Sequence, residues 1–516
     1  MNSFTSMAPP RMLRNRLPRV CVPVVAKNAA EMLEKAEQVA RDNSFIEFRL
    51  DYLGTPALFL PKLKSFIEYH PHITLVATCR RAKAGGKFNG SIASEIDVLC
   101  KAAALGCHLV DVELETAVQL KTADWNKLRK HASIIVSFHD FRGTKKLDET
   151  FAKMEAFPAD FIKMVTTANS LHDNVTMMKF LEKKGDGHAM VGVCMGEQGI
   201  ISRVLAVRAG SVFTFGAANP GEETAPGQIA ARTLLDTYRI EQVDAATRVY
   251  GVVGDPVSHS LSPAMMNTAF RRENLNAVYL ALHAKTIGDL MQCVREIPIH
   301  GLSVTMPYKT DIMKYLDKTD AVTAKIGACN TVIRGADGKL YGFNTDVAGV
   351  IRPLEQRMAI AGSKFLVLGA GGAARAAVFG LKERGAEVWV MNRTASAAQN
   401  LAKQAKAKAI QKTQLAKLQF DAIINATSVG MKTEDKPLLS EKDLNTRYAF
   451  EMVYSHGDTK FTKMARAKGV HVIPGIEMFV NQGARQFEIW TGKPAPFDEM
   501  QRVVQHQLDL RAQAKK

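Results

Sequence analysis

Lys364-Phe365-Leu366-Val367-Leu368-Gly369-Ala370-Gly371-Gly372-Ala373-Ala374-Arg375 runs from an apolar stretch through a glycine-rich turn into a helical pattern. The pattern predicts a strand over Lys364–Leu368, a helix over Ala373–Arg384 and a second strand over Glu387–Met391. Taken alone, Gly369-x-Gly371-x-x-Ala374 also fits a structural turn. Between a strand and a helix it fits a dinucleotide-binding βαβ unit, because glycines let backbone amides approach a pyrophosphate at a helix N-terminus. Gly369, Ala370, Gly371, Gly372 and Ala373 are therefore candidate cofactor contacts. After the second strand, Asn392-Arg393-Thr394 stands where an acidic residue would bind a ribose 2′-hydroxyl. An arginine there suits a 2′-phosphate, so the reading favours NADP over NAD.

Upstream of this turn, Val249–Val253 opens a further α/β unit that runs to about Asp346. It contains His259-Ser260-Leu261-Ser262-Pro263, Val304-Thr305-Met306-Pro307-Tyr308-Lys309, Ala328-Cys329-Asn330-Thr331 and Asn344-Thr345-Asp346. Hydroxyls, an amide and a Lys/Asp pair suit a small polyhydroxylated acid. Singly, the serines also fit helix caps, and Lys309 also fits a solvated helix face. The apolar stretch from about Ile476 is helical in pattern and can pack back on this unit.

Residues 20–240 alternate β-rich runs with helical stretches. Strands are expected at Val20–Val25, Phe45–Leu50, Ile73–Thr78, His108–Val112, Ser133–Ser137, Phe161–Val165, Met190–Val193 and Val212–Phe215. This repetition predicts a (β/α)8 TIM barrel, with chemistry at the C-terminal strand ends. A doubly wound sheet would need a topological break that the pattern lacks. Lys163 lies inside the apolar run Phe161-Ile162-Lys163-Met164-Val165. A lysine there snorkels to solvent or is held for covalent carbonyl chemistry, since burial favours the neutral, nucleophilic amine. Its surroundings favour the second reading. Ser137-Phe138-His139-Asp140 puts an imidazole at the mouth of the preceding strand. Glu47, Arg49 and Asp51 alternate, so they share one face, and charges inside a barrel are costly unless they build a site. Arg80 and Arg203 follow strands and suit a carboxylate clamp.

Composition sets the class. The chain has 516 residues, 47% hydrophobic and 23% charged, which fits a globular protein of several domains. No apolar run approaches the roughly 18 residues that span a bilayer. The net charge is +17, with 31 Lys+Arg against 27 Asp+Glu up to Thr247 and 37 against 24 beyond it. Without a zinc finger, an RNP signature or a basic-helix array, that excess reads as a solvated surface and pockets for anionic small molecules, and not as nucleic-acid binding. Seven scattered cysteines without a CxxC pair argue against a disulfide framework or a metal site and fit a reducing, cytoplasmic compartment. The basic first 19 residues read as a short frayed arm rather than a transit segment.

Residues 20–240 resemble the type I 3-dehydroquinate dehydratases. The motifs are Glu47-x-Arg49-x-Asp51, Thr78-Cys79-Arg80, Ser137–Asp140, Lys163, Met195-Gly196-Glu197 through Ser202-Arg203, and Ala225-Pro226-Gly227-Gln228. The resemblance implies that Lys163 forms an imine with the substrate ketone and that His139 shuttles protons. It implies that Arg203 holds the substrate carboxylate and that Glu47, Arg49, Arg80, Thr224 and Gln228 bind hydroxyls or order the pocket. Thr224 stands where many relatives have serine. Ala84 replaces a glutamate common in that loop.

The rest of the chain, to about residue 510, resembles the shikimate dehydrogenases, with Asn425-Ala426-Thr427-Ser428-x-Gly430, Tyr454 and Gln482 extending the match. That resemblance implies a Lys309/Asp346 catalytic pair. Ser260, Ser262, Thr305, Asn330, Tyr454 and Gln482 would bind substrate, and Asn392, Arg393, Thr394, Thr427, Met452 and Gly475 would join the cofactor site. Ala397 stands where a second basic residue is common. The implied organisation is a barrel over 18–243, a substrate lobe over 248–346 with helices 476–512 packed back, and a Rossmann-type NADP lobe over 347–475. It implies two reactions in sequence. A dehydrogenase carrying an inactive scaffold barrel is the alternative, and a ligand-sensing regulator is disfavoured because no DNA-binding module is present. Oligomeric state is not fixed by the sequence.

Overall fold

The barrel strands form where β-branched and aromatic residues alternate with residues of a second face. In this computed structural model, which describes residues 17–513 except Ser258, Pro298, Thr433, Ser455 and His456, they are β1 (Val20–Val24), β2 (Phe45–Arg49), β3 (Thr74–Thr78), β4 (Leu109–Glu113), β5 (Ser133–His139), β6 (Phe161–Thr167), β7 (Met190–Met195) and β8 (Thr214–Ala217). Most of the basic N-terminal arm lies outside the described residues. The strands pair in parallel in chain order, β8 pairs with β1, and a short β9 (Ile229–Ala230) pairs with β8. The ring closes through a Met190–Ser211 bridge and the Val212 N–H donating to Met190 C=O at 2.8 Å. That closure shifts β8 two residues from its expected start at Val212, because Val212 is engaged with β7 before the β1 pairing begins.

Alternation decides what the barrel contains. Phe45, Val76, Leu109, Ile135, Phe161, Val191 and Phe213 form one buried apolar cluster at the N-terminal ends of the strands. Two residues further along, and so on the same face, stand Glu47, Thr78, Asp111, Ser137 and Lys163, all buried. Outward-facing residues pack under the helices, as Phe48 does between Phe59 and Phe66 at ring distances of 5.1 and 5.5 Å.

The chain divides into two compact units. The first runs to Thr247 and takes in Leu282–Ile297, and the second comprises Arg248–Ala281 and the chain from Pro298 onward. A six-stranded mixed sheet contains β10 (Arg248–Gly254), β11 (Ala277–His283), β12 (Ile299–Val304), β13 (Lys318–Thr319), β14 (Thr331–Arg334) and β15 (Leu340–Phe343), in the order β11-β10-β12-β14-β15-β13. The other sheet is parallel: β16 (Lys364–Leu368), β17 (Glu387–Met391), β18 (Lys408–Ala409), β19 (Phe420–Asn425), β20 (Thr446–Glu451) and β21 (His471–Ile473), ordered β18-β17-β16-β19-β20-β21. Strand order reverses between β16 and β19. Open α/β sheets take ligands beyond the strand ends at such a switch point.

The helices Gly475–Thr491 and Phe497–Gln513 bury Phe487, Trp490, Met500, Val504 and Leu508 in one core with Tyr250, Met265, Phe270 and Tyr279. Among the described residues, no helix is long and apolar enough to cross a membrane. Trp490 donates from its indole to Val332 C=O at 3.0 Å, and a Cβ on Gly301 would come within 2.5 Å of that nitrogen. Gly301→Ala is therefore expected to displace the indole and to cost about 1–3 kcal/mol of stability, read as a lower thermal midpoint.

Two candidate active sites

The barrel interior holds a layer of charges above its apolar floor. Lys163 Nζ donates to Asp111 Oδ2 at 2.5 Å and lies 4.0 Å from Glu47 Oε1, with the Phe215 ring 4.6 Å away. Thr78 Oγ1 donates to Glu47 Oε1 at 2.6 Å. Ser137 Oγ lies 2.6 Å from Asp111 Oδ1 and 2.8 Å from Glu113 Oε2. Glu113 in turn accepts from the His139 backbone N–H at 3.0 Å and contacts the ring Nδ1 at 2.8 Å. Arg80 lies 3.2 Å from both Asp111 and Glu113.

The charges shift one another's titration. Burial alone would raise the Asp111 carboxyl, but Lys163 and Arg80 outweigh it and hold the group well below the usual carboxylate range. Burial opposes ionisation of Glu113 too, and His139 and Arg80 overcome it, so its pKa is lowered. Burial and then Arg80 push His139 down against the pull of Glu113. His139 is therefore a neutral imidazole at neutral pH, and its contact with Glu113 places the proton on Nδ1 and leaves Nε2 as an acceptor.

The remaining predicted barrel residues sit around this layer. Arg49 forms a two-bond pair with Asp51, at 3.0 and 2.8 Å. Arg203 is 2% exposed, donates to Pro226 C=O at 2.8 Å, and has no partner at Nε. Burial pushes its guanidinium down to about 10, which leaves it cationic at neutral pH. Thr224 donates from backbone and hydroxyl to Gln228 Oε1, at 2.7 and 3.1 Å. Ala84 closes a short helical turn, Ala82–Ala84, in the loop that follows Arg80. Sequence reasoning overlooked Asp111, Glu113, Thr78 and Ser137 as site groups. Asp111 and Glu113 alternate along β4 as Glu47 and Arg49 do along β2, so the same face argument would have found them.

The second unit places a lysine beside a carboxylate as well. Lys309 Nζ donates to Asp346 Oδ2 at 2.6 Å, and Asn330 Nδ2 donates to Asp346 Oδ1 at 2.7 Å. A Cβ on Gly372 would lie 3.7 Å from Lys309 Cδ, so the lysine stem runs beside the start of the helix Gly372–Glu383. Ser260 Oγ accepts from the Ser262 N–H at 3.2 Å, and Gly254 leaves room for Thr305, whose Cγ2 would lie 2.5 Å from an added Cβ. Tyr454 packs on Phe479 at 4.6 Å, and Gln482 is buried with its amide on Phe479 C=O at 3.0 Å.

The glycine turn has the shape that a pyrophosphate needs. Gly369 adopts φ +115°, and a Cβ there would meet Ala426 C=O at 2.9 Å. A Cβ on Gly371 would meet nothing within 4 Å, so the backbone there faces open space at the helix N-terminus. Ala370 and Ala373 flank it half-buried, Arg393 and Thr394 are exposed, and Asn392 donates to Thr394 C=O at 3.2 Å. Thr427 is fixed by Asn425, and Met452 is buried. Gly475 passes so close to Val453 C=O that a Cβ would come within 2.2 Å. Ala397 is half-buried in the first turn of the helix Ala395–Ala405 that follows β17.

These features define an α/β enzyme with two reaction centres, one in a parallel barrel and one between a mixed sheet and a dinucleotide-type sheet. Family comparisons agree segment by segment. The type I 3-dehydroquinase profile matches residues 20–245, the shikimate dehydrogenase substrate binding domain 252–332, the shikimate / quinate 5-dehydrogenase profile 354–446, and the shikimate 5'-dehydrogenase C-terminal domain 475–505. The chloroplastic bifunctional 3-dehydroquinate dehydratase/shikimate dehydrogenase of Arabidopsis thaliana is 35% identical over 506 residues, covering 92% of this chain and 82% of that one. The shikimate dehydrogenase (NADP(+)) of Nitrosopumilus maritimus is 40% identical over 268 residues, 50% of this chain and 98% of its own. A solved structure of shikimate 5-dehydrogenase from Thermus thermophilus, in complex with NADP(H) and shikimate, is 35% identical, with a TM-score of 0.47, and covers 50% of this chain and 99% of that one. The chain belongs to the bifunctional 3-dehydroquinate dehydratase/shikimate dehydrogenase family.

The ion pair at the barrel centre yields a stability prediction. Asp111→Ala would take away the carboxylate that Lys163 and Arg80 share, leaving the buried Lys163 with Glu47 at 4.0 Å and Arg80 with Glu113 alone. A loss of about 3–5 kcal/mol is expected, measured by urea unfolding of the full chain.

Proposed function

We propose that the chain carries out two consecutive steps on one carbon ring. It dehydrates 3-dehydroquinate to 3-dehydroshikimate in the barrel, then reduces that product to shikimate with NADPH in the second unit, toward aromatic amino acids. The observation that carries this reading is that each unit holds its own lysine–aspartate pair, at 2.5 Å for Lys163–Asp111 and 2.6 Å for Lys309–Asp346.

In the dehydratase step the Lys163 amine adds to the substrate ketone and loses water, giving a protonated imine. The imine withdraws electrons, so the adjacent carbon releases its proton to His139 Nε2. His139 returns a proton to the departing hydroxyl, water leaves, and hydrolysis of the imine frees the product and the lysine. Arg203, cationic and buried with Nε unpaired, is suited to the substrate carboxylate. Glu47, Arg49, Arg80, Thr224 and Gln228 order the pocket and bind hydroxyls.

In the second step NADPH supplies a hydride to the carbonyl carbon. Lys309 gives its proton to the carbonyl oxygen, and Asp346 orients the ammonium. Ser260, Ser262, Thr305, Asn330, Tyr454 and Gln482 hold the ring substituents. The Gly369–Ala373 turn, Asn392–Thr394, Thr427, Met452 and Gly475 hold the cofactor, with Arg393 on the 2′-phosphate. We assign residues 18–243 to the dehydratase, 248–346 with helices 476–512 to the substrate lobe, and 347–475 to the NADP lobe. This division follows the three sheets. Cysteines all free in thiol form suit a reducing compartment such as the cytoplasm.

NADPH consumption separates this reading from a dehydrogenase with an inert barrel. Wild type should oxidise NADPH when given 3-dehydroquinate. Lys163→Ala should lose that activity and keep it with 3-dehydroshikimate, whereas Lys309→Ala should lose both. Wild type that responds only to 3-dehydroshikimate would make the barrel a scaffold. Borohydride added during dehydration should leave a covalent adduct on Lys163, and its absence would rule out the imine.

The lowered His139 pKa fixes a pH dependence. The base is functional when neutral, so dehydratase kcat/KM should hold as pH falls to about 6.5, the ordinary imidazole value, and decline only below it. A decline centred above that value would contradict the assignment of His139.

A further inference from the structure

Beneath the Lys309–Asp346 pair runs a buried polar chain with a direction. Asn330 Oδ1 accepts from the Thr345 backbone N–H at 2.7 Å, so the amide must present its nitrogen to Asp346. Thr331 Oγ1 donates to the same Asn330 Oδ1 at 2.8 Å. Having spent its proton there, Thr331 can only accept from its other neighbours, Gln486 Nε2 and Thr345 Oγ1, each at 3.1 Å. Gln486 Nε2 also donates to Asn330 C=O at 3.1 Å, an atom that can only accept. Its Oε1 is thereby left to accept from Ser303 Oγ at 2.8 Å, and Ser303 accepts from Tyr279 OH at 2.5 Å.

The Thr345 N–H and the Asn330 C=O settle the polarity of the Asn330 and Gln486 amides, so neither amide is free to flip. Gln486 is 1% exposed and Tyr279 wholly buried, which makes each lost partner costly. Gln486 lies one helical turn beyond Gln482, on the inward side of the helix Gly475–Thr491. With Trp490, whose indole bonds Val332 C=O, it ties that helix to Asn330 and to β14, which begins at the next residue.

We infer that Gln486 is a positioning residue of the reduction, which fixes Asn330 and through it the orientation of Asp346 toward Lys309, with Tyr279 and Ser303 holding Gln486 in turn. Gln486 touches neither substrate nor cofactor in this role. Its removal should slow the chemical step and leave cofactor binding alone. This inference rests on the reading of Lys309 and Asp346 as the proton-transfer pair.

The test uses the full chain with 3-dehydroshikimate and NADPH. Gln486→Met keeps the bulk and removes the hydrogen bonds. It is expected to lower kcat by roughly 10- to 100-fold, the cost of misplacing a catalytic group by a fraction of an ångström to an ångström. KM for NADPH and the dehydratase turnover of the same preparation should stay within about twofold of wild type. A wild-type kcat overturns the inference. So does a kcat loss matched by equal losses of NADPH affinity and thermal stability, which would mark general collapse of the lobe. Tyr279→Phe deletes one hydroxyl and covers the case in which Gln486→Met does not fold. It should lower kcat by about threefold with KM for NADPH held, and a wild-type kcat there, with Gln486→Met unfolded, also overturns the inference. Lys309→Ala run alongside separates the two failures. If it reduces substrate at the wild-type rate, the proton-transfer pair itself is wrong. If it is inactive while Gln486→Met is normal, only the role of Gln486 falls.

Discussion

A buried ammonium 2.5 Å from a buried carboxylate is the constraint around which the barrel is built. Neither charge tolerates the interior alone, since desolvation costs each of them several kcal/mol. Asp111 is therefore held ionised by two cations, Lys163 and Arg80, and its second oxygen is covered by Ser137. Arg80 draws in Glu113, Glu113 draws in His139, and the group that can act as a base is fixed by the charges that stabilise the lysine. The apolar layer from Phe45 to Phe213 closes the barrel beneath them and keeps water from entering below.

The second site meets a similar constraint by other means. There one carboxylate faces one lysine, and neutral groups satisfy the rest of the polar chain: Asn330, Thr331, Gln486, Ser303 and Tyr279. Neutral partners cost less to bury than charges, but they hold geometry only if each donor meets one acceptor. Lys309 keeps a fifth of its side chain exposed, whereas Lys163 keeps 3%. A group that delivers a proton beside an incoming cofactor needs access. One that forms an imine inside a barrel has to be reached only by the substrate ketone and by the water that later hydrolyses the imine, and the two burials fit those demands.

How legible this was from sequence differs by element. Both strands of the glycine-turn unit fell at their expected residues, because short parallel strands between a turn and a helix have sharp edges. The barrel strands were found within a few residues, and β8 was misplaced because its closing contact with β7 is long-range and leaves no local mark. Lys163 stood out because a charge in an apolar run announces itself and His139 because it stands at the mouth of the preceding strand, whereas the Lys309/Asp346 pair was singled out by the resemblance of its motifs to the shikimate dehydrogenases. Asp111 and Glu113 were not singled out, although they stand in such a run. Gln486 was unreadable in principle. A buried glutamine in an amphipathic helix shows its role only when its partners, 155 and 183 residues away, are brought beside it.

The two lysines also differ in what happens to their charge. A protonated imine carries the same single positive charge as the ammonium it replaces, and it forms at the same atom. On the proposed mechanism the lysine gives up a proton to attack and regains the charge with the imine, so Asp111 faces a cation before and after the covalent step and the surrounding dipoles suit both states. Lys309 instead loses its proton to the substrate oxygen, so Asp346 faces a cation at the start and a neutral amine at the end. Such a pair gains from an orienting scaffold that does not change its own charge, which is what a chain of hydroxyls and amides provides. The charged layer suits a site whose charge returns to the lysine nitrogen with the imine, and the neutral chain suits a site whose charge is spent.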